Sequence, residues 1–184
     1  MTENIIIAGS GGQGVLTLGI FLANIGIYEN KKVTWLPAYG AEKRGGFSFC
    51  NLVISDGEIF SPVVEVPDTL VLFDQRAVDT YGSKSSKDTF VLGNTSLIQN
   101  DTLETFKEKI MIPADDIARK VGFIKAMNTV MAGAYLGAKR LFNAGSGEAV
   151  IAEILKGKKK DVLDKNIQAF KEGLNFAAGK TEGK

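Results

Sequence analysis

A glycine-rich turn between a predicted strand and a predicted helix constrains the fold of this chain more than any other feature. An apolar run at residues 4–8 is followed by Gly9-Ser10-Gly11-Gly12-Gln13-Gly14. Apolar residues then recur at helical spacing, which predicts a helix over residues 13–28. A second strand is predicted at residues 32–36, ended by Pro37. Strand, glycine loop, helix and strand make a βαβ unit, which places the two strands parallel.

The rest of the sequence continues this alternation, so we predict an α/β fold of Rossmann-like, three-layer type with a mostly parallel sheet. Residues 47–55 and 58–60, joined by the turn Asp56-Gly57, predict a hairpin insertion. Asp115 or Asp116 is predicted to cap a helix that runs to residue 121, and Gly145-Ser146-Gly147 is predicted to break the chain between C-terminal helices. Further strands are predicted at 69–73, 89–92 and 109–112, and further helices at 125–142, 148–156 and 161–177. A short helix to about residue 81 follows Asp74, which is predicted mainly to cap it, with a place facing the cleft as the alternative. We assign residues 1–178 to one domain and 179–184 to a flexible tail.

Composition excludes several classes of site. The chain has one Cys and no His, so it cannot form an internal disulfide, a Cys₄ iron–sulfur cluster or any His-containing triad or metal site. We therefore expect no catalytic residue and no metal ligand on this chain. The net charge of +1 argues against a nucleic-acid partner, and no apolar run approaches the ~20 residues of a membrane span. A cytoplasmic location is expected.

The glycine loop has two interpretations of equal weight on the motif alone. Gly9, Gly11 and Gly14 match G-x-G-x-x-G, in which backbone amides and the helix N-terminus favour a phosphate. A dinucleotide site also needs an acidic residue at the end of the second strand, and that strand ends without one. The alternative is that the glycines only allow close packing of strand and helix.

A second loop follows the carboxyl end of the second predicted strand, where ligands bind in doubly wound sheets. It reads Tyr39-Gly40-Ala41-Glu42-Lys43-Arg44-Gly45-Gly46. Arg44 can direct two donors at a phosphate or carboxylate, Lys43 adds charge, and Gly45 and Gly46 give backbone amides room to approach a ligand. The alternative is a solvated turn with surface ion pairs.

Together these two loops resemble one family. Gly9-x-Gly11-Gly12-Gln13-Gly14-Val15 followed by Leu36-Pro37-Ala38-Tyr39-Gly40-Ala41-Glu42-Lys43-Arg44-Gly45-Gly46 is similar to the gamma subunit of 2-oxoacid:ferredoxin oxidoreductases, which also occurs as a domain of pyruvate:ferredoxin oxidoreductase. The likeness continues through the Ser61-Pro62 and Pro67-Asp68 regions and a late helix that contains Asn128, and it spans residues 5–142. Ala41 stands where the family usually has proline.

The resemblance implies a non-autonomous subunit of an enzyme that oxidatively decarboxylates a 2-oxo acid to acyl-CoA and CO₂ and reduces ferredoxin. It implies that alpha, beta and ferredoxin-like partner subunits hold thiamine diphosphate, Mg²⁺ and [4Fe-4S] clusters, and a homodimer contact is compatible with it. This chain would help to close the active site and bind coenzyme A. The implied contacts are Gly9, Gly11, Gly12, Gln13, Gly14, Tyr39, Lys43, Arg44, Gly45 and Gly46.

Two alternatives remain at this stage. A free-standing nucleotide-dependent dehydrogenase would need a ribose-binding acid and a proton donor, and a purely structural assembly subunit would use its glycines for packing alone. The Thr34-Trp35-Leu36-Pro37 sequence resembles 2-oxoglutarate-type gamma subunits, which favours 2-oxoglutarate, with branched-chain 2-oxo acids as the alternative.

Overall fold

The computed structural model describes residues 1–40, 45–99 and 103–181, which form a six-stranded sheet flanked by helices. The strands are β1 (Thr2–Ser10), β2 (Lys32–Tyr39), β3 (Phe47–Ser55), β4 (Thr69–Leu72), β5 (Phe90–Asn94) and β6 (Lys109–Ile112). The helices are α1 (Val15–Tyr28), α2 (Gln75–Tyr81), α3 (Ala114–Lys120), α4 (Met127–Lys139), α5 (Ala144–Ile154) and α6 (Lys160–Thr181). No helix in these ranges is both long enough and apolar enough to span a bilayer.

Strand β3 makes the sheet mixed. The strand order is β2-β3-β1-β4-β5-β6, and β3 is antiparallel to both of its neighbours. The other three neighbouring pairs are parallel. Strands β1 and β2 therefore run in the same direction, as the βαβ pattern predicts, but β3 lies between them. The α/β class is confirmed, and β3 supplies the antiparallel exception in the sheet.

The hairpin involves different strands from those predicted. Strand β3 pairs with β2 from Lys32↔Ser55 to Tyr39↔Ser48, so the chain before β3 forms the hairpin and residues 58–60 are not a strand. Strand β2 also continues through Pro37, which the sequence interpretation placed at its end. Because β2 is the edge strand of the sheet, a proline without an N–H donor is tolerated there.

Two hydrophobic cores lie on opposite faces of the sheet. Ile5 and Ile7 of β1 point into the larger core, which packs α1 and the helices α3–α6 against the sheet. Ile6 and Ala8 of the same strand point into the smaller core, which includes α2. This alternation along β1 separates α1 and α2 by the thickness of the sheet.

Three predictions for the second half of the chain are wrong at particular residues. Helix α3 begins at Ala114, before either predicted cap, and Asp115 instead accepts a hydrogen bond from Asn94 Nδ2 at 2.7 Å. Gly145-Ser146-Gly147 does not break the chain but lies in α5, whose N-cap is Asn143. Helix α6 continues to Thr181, past its predicted end at residue 177.

Candidate functional site

The candidate site lies at the carboxyl edge of the sheet, where the strand order reverses. The chain leaves β1 towards β2 on one side, and it leaves β4 towards β5 on the other. Helices α1 and α2 pack on opposite faces of the sheet. In doubly wound sheets, ligands bind at this position, between the carboxyl ends of the two strands. The glycine loop begins in the last two residues of β1, Gly9 and Ser10, and Asp74 lies just beyond β4, so both lie at this point.

The structure brings the two glycine-rich loops together. The amide N–H of Gly11 donates to the carbonyl oxygen of Gly46 at 2.7 Å, which joins the glycine loop to the start of β3. At the other end of the β2–β3 connection, Gly40 N donates to Phe47 O at 2.9 Å. Tyr39 is the last residue of β2, so its backbone lies at the same edge of the sheet as the glycine loop. Lys43 and Arg44 lie outside the described residues.

Side-chain hydrogen bonds hold the glycine loop in place. The Gln13 side-chain oxygen accepts from Ser10 N at 2.7 Å, which closes the loop on itself. The Ser10 hydroxyl donates to Asp74 Oδ2 at 2.6 Å, and the other carboxylate oxygen of Asp74 accepts from Ala77 N at 3.0 Å as the N-cap of α2. Both carboxylate oxygens of this buried Asp74 are therefore used, and they tie the loop after β1 to the helix after β4.

Three glycines of the site have backbones that other residues rarely adopt. Gly12, Gly14 and Gly45 have φ angles of 98°, 85° and 69°. A Cβ on Gly12 or Gly45 would meet no atom within 4 Å, so both backbones face open space. Gly14 is the N-cap of α1 and provides no side-chain cap for its first turn. This end of α1 therefore offers backbone amides and the positive end of the helix dipole to an anion.

Three residues of the site were not among the predicted contacts. Ser10 occupies an unspecified position of the glycine motif, and Asp74 was interpreted mainly as a helix cap, which is confirmed. The Asn128 side chain, at the start of α4, lies within 3.0 Å of where a Cβ of Gly14 would stand. The position of Ser10 and Asp74 at the ends of neighbouring parallel strands is the sequence signal that could have paired them.

Comparison with known proteins identifies the family. The pattern of the pyruvate ferredoxin/flavodoxin oxidoreductase family matches residues 4–176 of this chain. The chain belongs to this family. The resemblance drawn from the two glycine loops is therefore confirmed.

Relatives within the pyruvate ferredoxin/flavodoxin oxidoreductase family are of two lengths. The ketoisovalerate oxidoreductase subunit VorA of Methanothermobacter thermautotrophicus is 36% identical over 96% of this chain, which spans only 37% of VorA. The 2-oxoglutarate synthase subunit KorC of Methanocaldococcus jannaschii is 34% identical over 96% of this chain and 95% of KorC. This chain thus spans about a third of one relative and nearly all of the other.

Solved structures of the family share the fold. A chain of the 2-oxoglutarate:ferredoxin oxidoreductase from Magnetococcus marinus, solved with 2-oxoglutarate, coenzyme A and succinyl-CoA bound, superposes with a TM-score of 0.87 at 20% identity. The match covers 97% of this chain and 31% of that one. The keto/oxoacid ferredoxin oxidoreductase gamma subunit from Geobacter sulfurreducens superposes with a TM-score of 0.76 at 23% identity, over 96% and 99% of the two chains.

The single thiol of this family member is buried in the sheet. Cys50 lies in β3 and has no exposed surface, so it packs as a small hydrophobic residue of the core. Burial raises the pKa of the Cys50 thiol to about 12, and the indole N–H of Trp35 beside it offsets part of this shift. A cluster or metal ion binds the thiolate form, so Cys50 is unsuited to either role. The described residues also contain no group of three or more His, Cys, Asp or Glu side chains placed to hold a metal ion.

Burial of Cys50 predicts a loss of stability at alkaline pH. Above pH 9.0 the thiol ionises in the unfolded chain, whereas the folded chain keeps its proton until about pH 12. The stabilisation is complete below pH 9.0 and is lost as the pH rises from 9.0 towards 12. Between pH 8 and pH 10, the free energy of unfolding should fall by about 1.4 kcal/mol more in the wild type than in Cys50→Ala. Urea denaturation of both proteins at each pH measures this difference, and parallel pH dependences would contradict it.

Proposed function

We propose that this chain is the gamma subunit of a 2-oxoacid:ferredoxin oxidoreductase. The assembled enzyme would need this subunit, and the isolated chain would be inactive. The holoenzyme would convert a 2-oxo acid to acyl-CoA and CO₂ and pass electrons to ferredoxin. The hydrogen bond from Gly11 N to Gly46 O carries this proposal, because it places the two glycine loops side by side at the carboxyl edge of the sheet. We call the surface that these two loops form the glycine wall, and we propose that it faces the ligand.

We assign to this wall the binding of a phosphate of coenzyme A. The first turn of α1 offers amide donors and no acidic side chain, so an anion meets no carboxylate from that turn. The left-handed backbones of Gly12 and Gly45 leave room for close approach. Lys43 and Arg44 lie just before Gly45 in the sequence, and their contact with phosphate stays a prediction. The same holds for Tyr39.

The other cofactors are proposed to lie on partner subunits of alpha, beta and ferredoxin-like type. Of the groups that hold a cluster, this chain has only the buried Cys50. The only Asp-Gly sequence, Asp56-Gly57, lies after β3 at the opposite edge of the sheet from the glycine loops. There Asp56 accepts from Lys31 Nζ at 2.5 Å and from the N-terminal amine at 2.7 Å, so its carboxylate is already paired with cations. We also propose a cytoplasmic location for the complex.

The choice of 2-oxo acid is proposed from sequence alone. The Thr34–Pro37 sequence favours 2-oxoglutarate, and this chain spans 95% of the relative named for 2-oxoglutarate. Branched-chain 2-oxo acids are the alternative, supported by the relative named for ketoisovalerate. Assays of the assembled enzyme with both substrates decide between them.

A free-standing dehydrogenase is less well supported. Strand β2 ends Leu36-Pro37-Ala38-Tyr39, without the acid that would bind a ribose hydroxyl. Glu29, which lies at about the expected spacing in sequence, instead accepts from Asn143 N at 2.7 Å at the far end of α1. Titration of the isolated chain with NAD should therefore show no binding.

A matched pair of glycine substitutions tests the coenzyme A assignment. Gly12 and Gly157 both have a left-handed backbone, with φ of 98° and 84°, and both face open space. Alanine strains either backbone by about 1 kcal/mol, but only Gly12 lies in the proposed site. In the assembled enzyme, the added methyl group would occupy the space through which the phosphate approaches the Gly12 backbone. Gly12→Ala should therefore raise the KM for coenzyme A at least tenfold, since one hydrogen bond to a charged group is worth about 1.5–3 kcal/mol.

The control and a companion variant complete this test. Gly157→Ala, between α5 and α6, should leave the KM for coenzyme A unchanged. Arg44→Ala, chosen from the sequence, should raise that KM while the complex still assembles. If Gly12→Ala and Arg44→Ala both assemble and keep the wild-type KM, the wall does not bind coenzyme A and the chain is a structural subunit.

A further inference from the structure

Helix α1 is unusual for a helix at the surface of an α/β domain because it has no charged residue in fourteen positions. Its inner side packs into the larger core, as expected. Its outer side presents Ile20, Ile27 and Tyr28, and the last two are 60% and 59% exposed. Thr17 and Asn24 are the polar residues on this side, and neither carries a charge. The outer side of a helix at a solvated surface is normally charged or polar, so large apolar side chains there indicate a contact. The described part of this chain leaves the outer side of α1 uncovered.

Neighbouring elements extend this apolar surface. Ile154, at the end of α5, and Ile124, in the turn before α4, are both exposed. Ile154 separates two clefts along α1, of about 220 and 300 Å³. The first is lined by Ile20 and Phe123, the second by Ile27 and Tyr28. We call the surface formed by Ile20, Ile27, Tyr28, Ile124 and Ile154 the α1 face.

The α1 face is continuous with the glycine site. Its first cleft begins at Thr17, in the first turn of α1, and includes Asn128. The Asn128 side chain adjoins Gly14, the last glycine of the loop. A protein surface that covers the α1 face therefore reaches the edge of the glycine wall, where the proposed function requires another chain to close the site.

We propose that the α1 face docks a catalytic partner subunit of the same oxidoreductase, of the kind that makes up the rest of the longer relatives. The proposal rests on the function given above. Its independent support is chain length: a domain like this one is 37% of VorA and nearly all of KorC. A domain that is fused to further polypeptide in one relative and separate in another needs a docking surface when it is separate. Exposed apolar patches with adjoining clefts are typical of such surfaces.

Two lysine substitutions test this assignment without disturbing the fold. Ile27 and Ile154 lie in the last turns of α1 and α5, where the helix dipole favours a cation. The double variant Ile27→Lys/Ile154→Lys should therefore keep the unfolding temperature of the isolated chain. A charge buried against an apolar partner is unpaired, so the variant should bind the co-expressed partner subunits about 100-fold more weakly. The matched control is Val63→Lys/Val66→Lys, which changes two exposed valines between β3 and β4; Val64 between them packs into the smaller core, on the opposite face of the sheet from α1.

Each outcome of the binding measurement is decisive. Weaker binding by the α1-face variant alone supports the proposal. If the wild type and the α1-face variant bind the partner subunits equally, the docking proposal is overturned and the proposed function stays intact. The same conclusion follows if the α1-face variant and the control variant weaken binding equally. If the wild-type chain forms no complex with 2-oxoacid oxidoreductase subunits, the proposed function fails together with this inference. Light scattering of the isolated chain tests whether the α1 face binds a second copy. If the wild type is a dimer and the α1-face variant is a monomer, the face binds a second copy and the docking proposal is overturned.

Discussion

Replacing Gly173 with alanine should destabilise this chain by at least about 3 kcal/mol, because two helix backbones meet at that residue. A Cβ on Gly173 of α6 would stand closer than 3.0 Å to the carbonyl oxygen of Val130 in α4. The same is true in reverse, since a Cβ on Gly133 or Gly137 of α4 would stand closer than 3.0 Å to the carbonyl oxygens of Phe170 or Leu174. Backbone atoms cannot rotate away as a side chain can, so the helices must separate.

The same helix provides the control for this prediction. Gly179 also lies in α6, and a Cβ there would meet no atom within 4 Å. Gly179→Ala should leave stability unchanged or raise it by up to about 1 kcal/mol, since alanine favours a helix more than glycine does. Urea denaturation of the two variants measures the contrast. A neutral surface substitution changes the free energy of unfolding by about 0.5 kcal/mol or less. If the free energy of unfolding of Gly173→Ala differs from that of the wild type by no more than this, α4 and α6 do not pack at this distance.

Local patterns in the sequence identified the elements whose ends are set by local chemistry. Strand β6 has the predicted bounds, because Pro113 prevents its extension. The cap of α2 by Asp74 was also predicted, since a carboxylate before a helix accepts from its free amides. A glycine turn was also predicted between β1 and α1, because left-handed backbones at Gly12 and Gly14 require glycine whatever lies around them. The turn is shorter than predicted, since β1 continues through Gly9 and Ser10 and α1 begins at Val15.

Features set by distant contacts were not predictable in this way. The Asp56-Gly57 turn is a strong local signal for a hairpin, but β3 gains more by pairing over its full length with β1 and β2. Gly147 suggests a break in the chain, yet it lies inside α5 because the ring of Phe170 packs where its Cβ would be. The bond from Ser10 to Asp74 joins residues 64 positions apart, so it could be predicted only by placing β1 and β4 as neighbouring parallel strands.

Gly9→Ala should lower kcat/KM for coenzyme A about 100-fold in the assembled enzyme, the size of effect expected when a binding loop moves by about 1 Å. A Cβ on Gly9 would stand 2.5 Å from Gln13 Oε1, 2.7 Å from Phe73 Cβ and 3.0 Å from Val15 Cγ2. The Phe73 Cβ is fixed to the backbone beyond β4, so it cannot give way. The loop must therefore move, and with it the Gln13 oxygen that holds Ser10 N.

A second glycine at the same edge of the sheet separates loop displacement from simple crowding. A Cβ on Gly93 of β5 would stand 2.7 Å from Met111 Sδ and 2.8 Å from its Cε, as close as the contacts of Gly9. Those atoms are the flexible end of a side chain, which can turn aside at little cost. Gly93→Ala should therefore keep activity within about twofold of the wild type, within the usual ±0.5 kcal/mol of a tolerated change. An assembled Gly9→Ala enzyme with the wild-type kcat/KM would show that the glycine loop does not position coenzyme A, because crowding at Gly9 moves the loop while crowding at Gly93 does not.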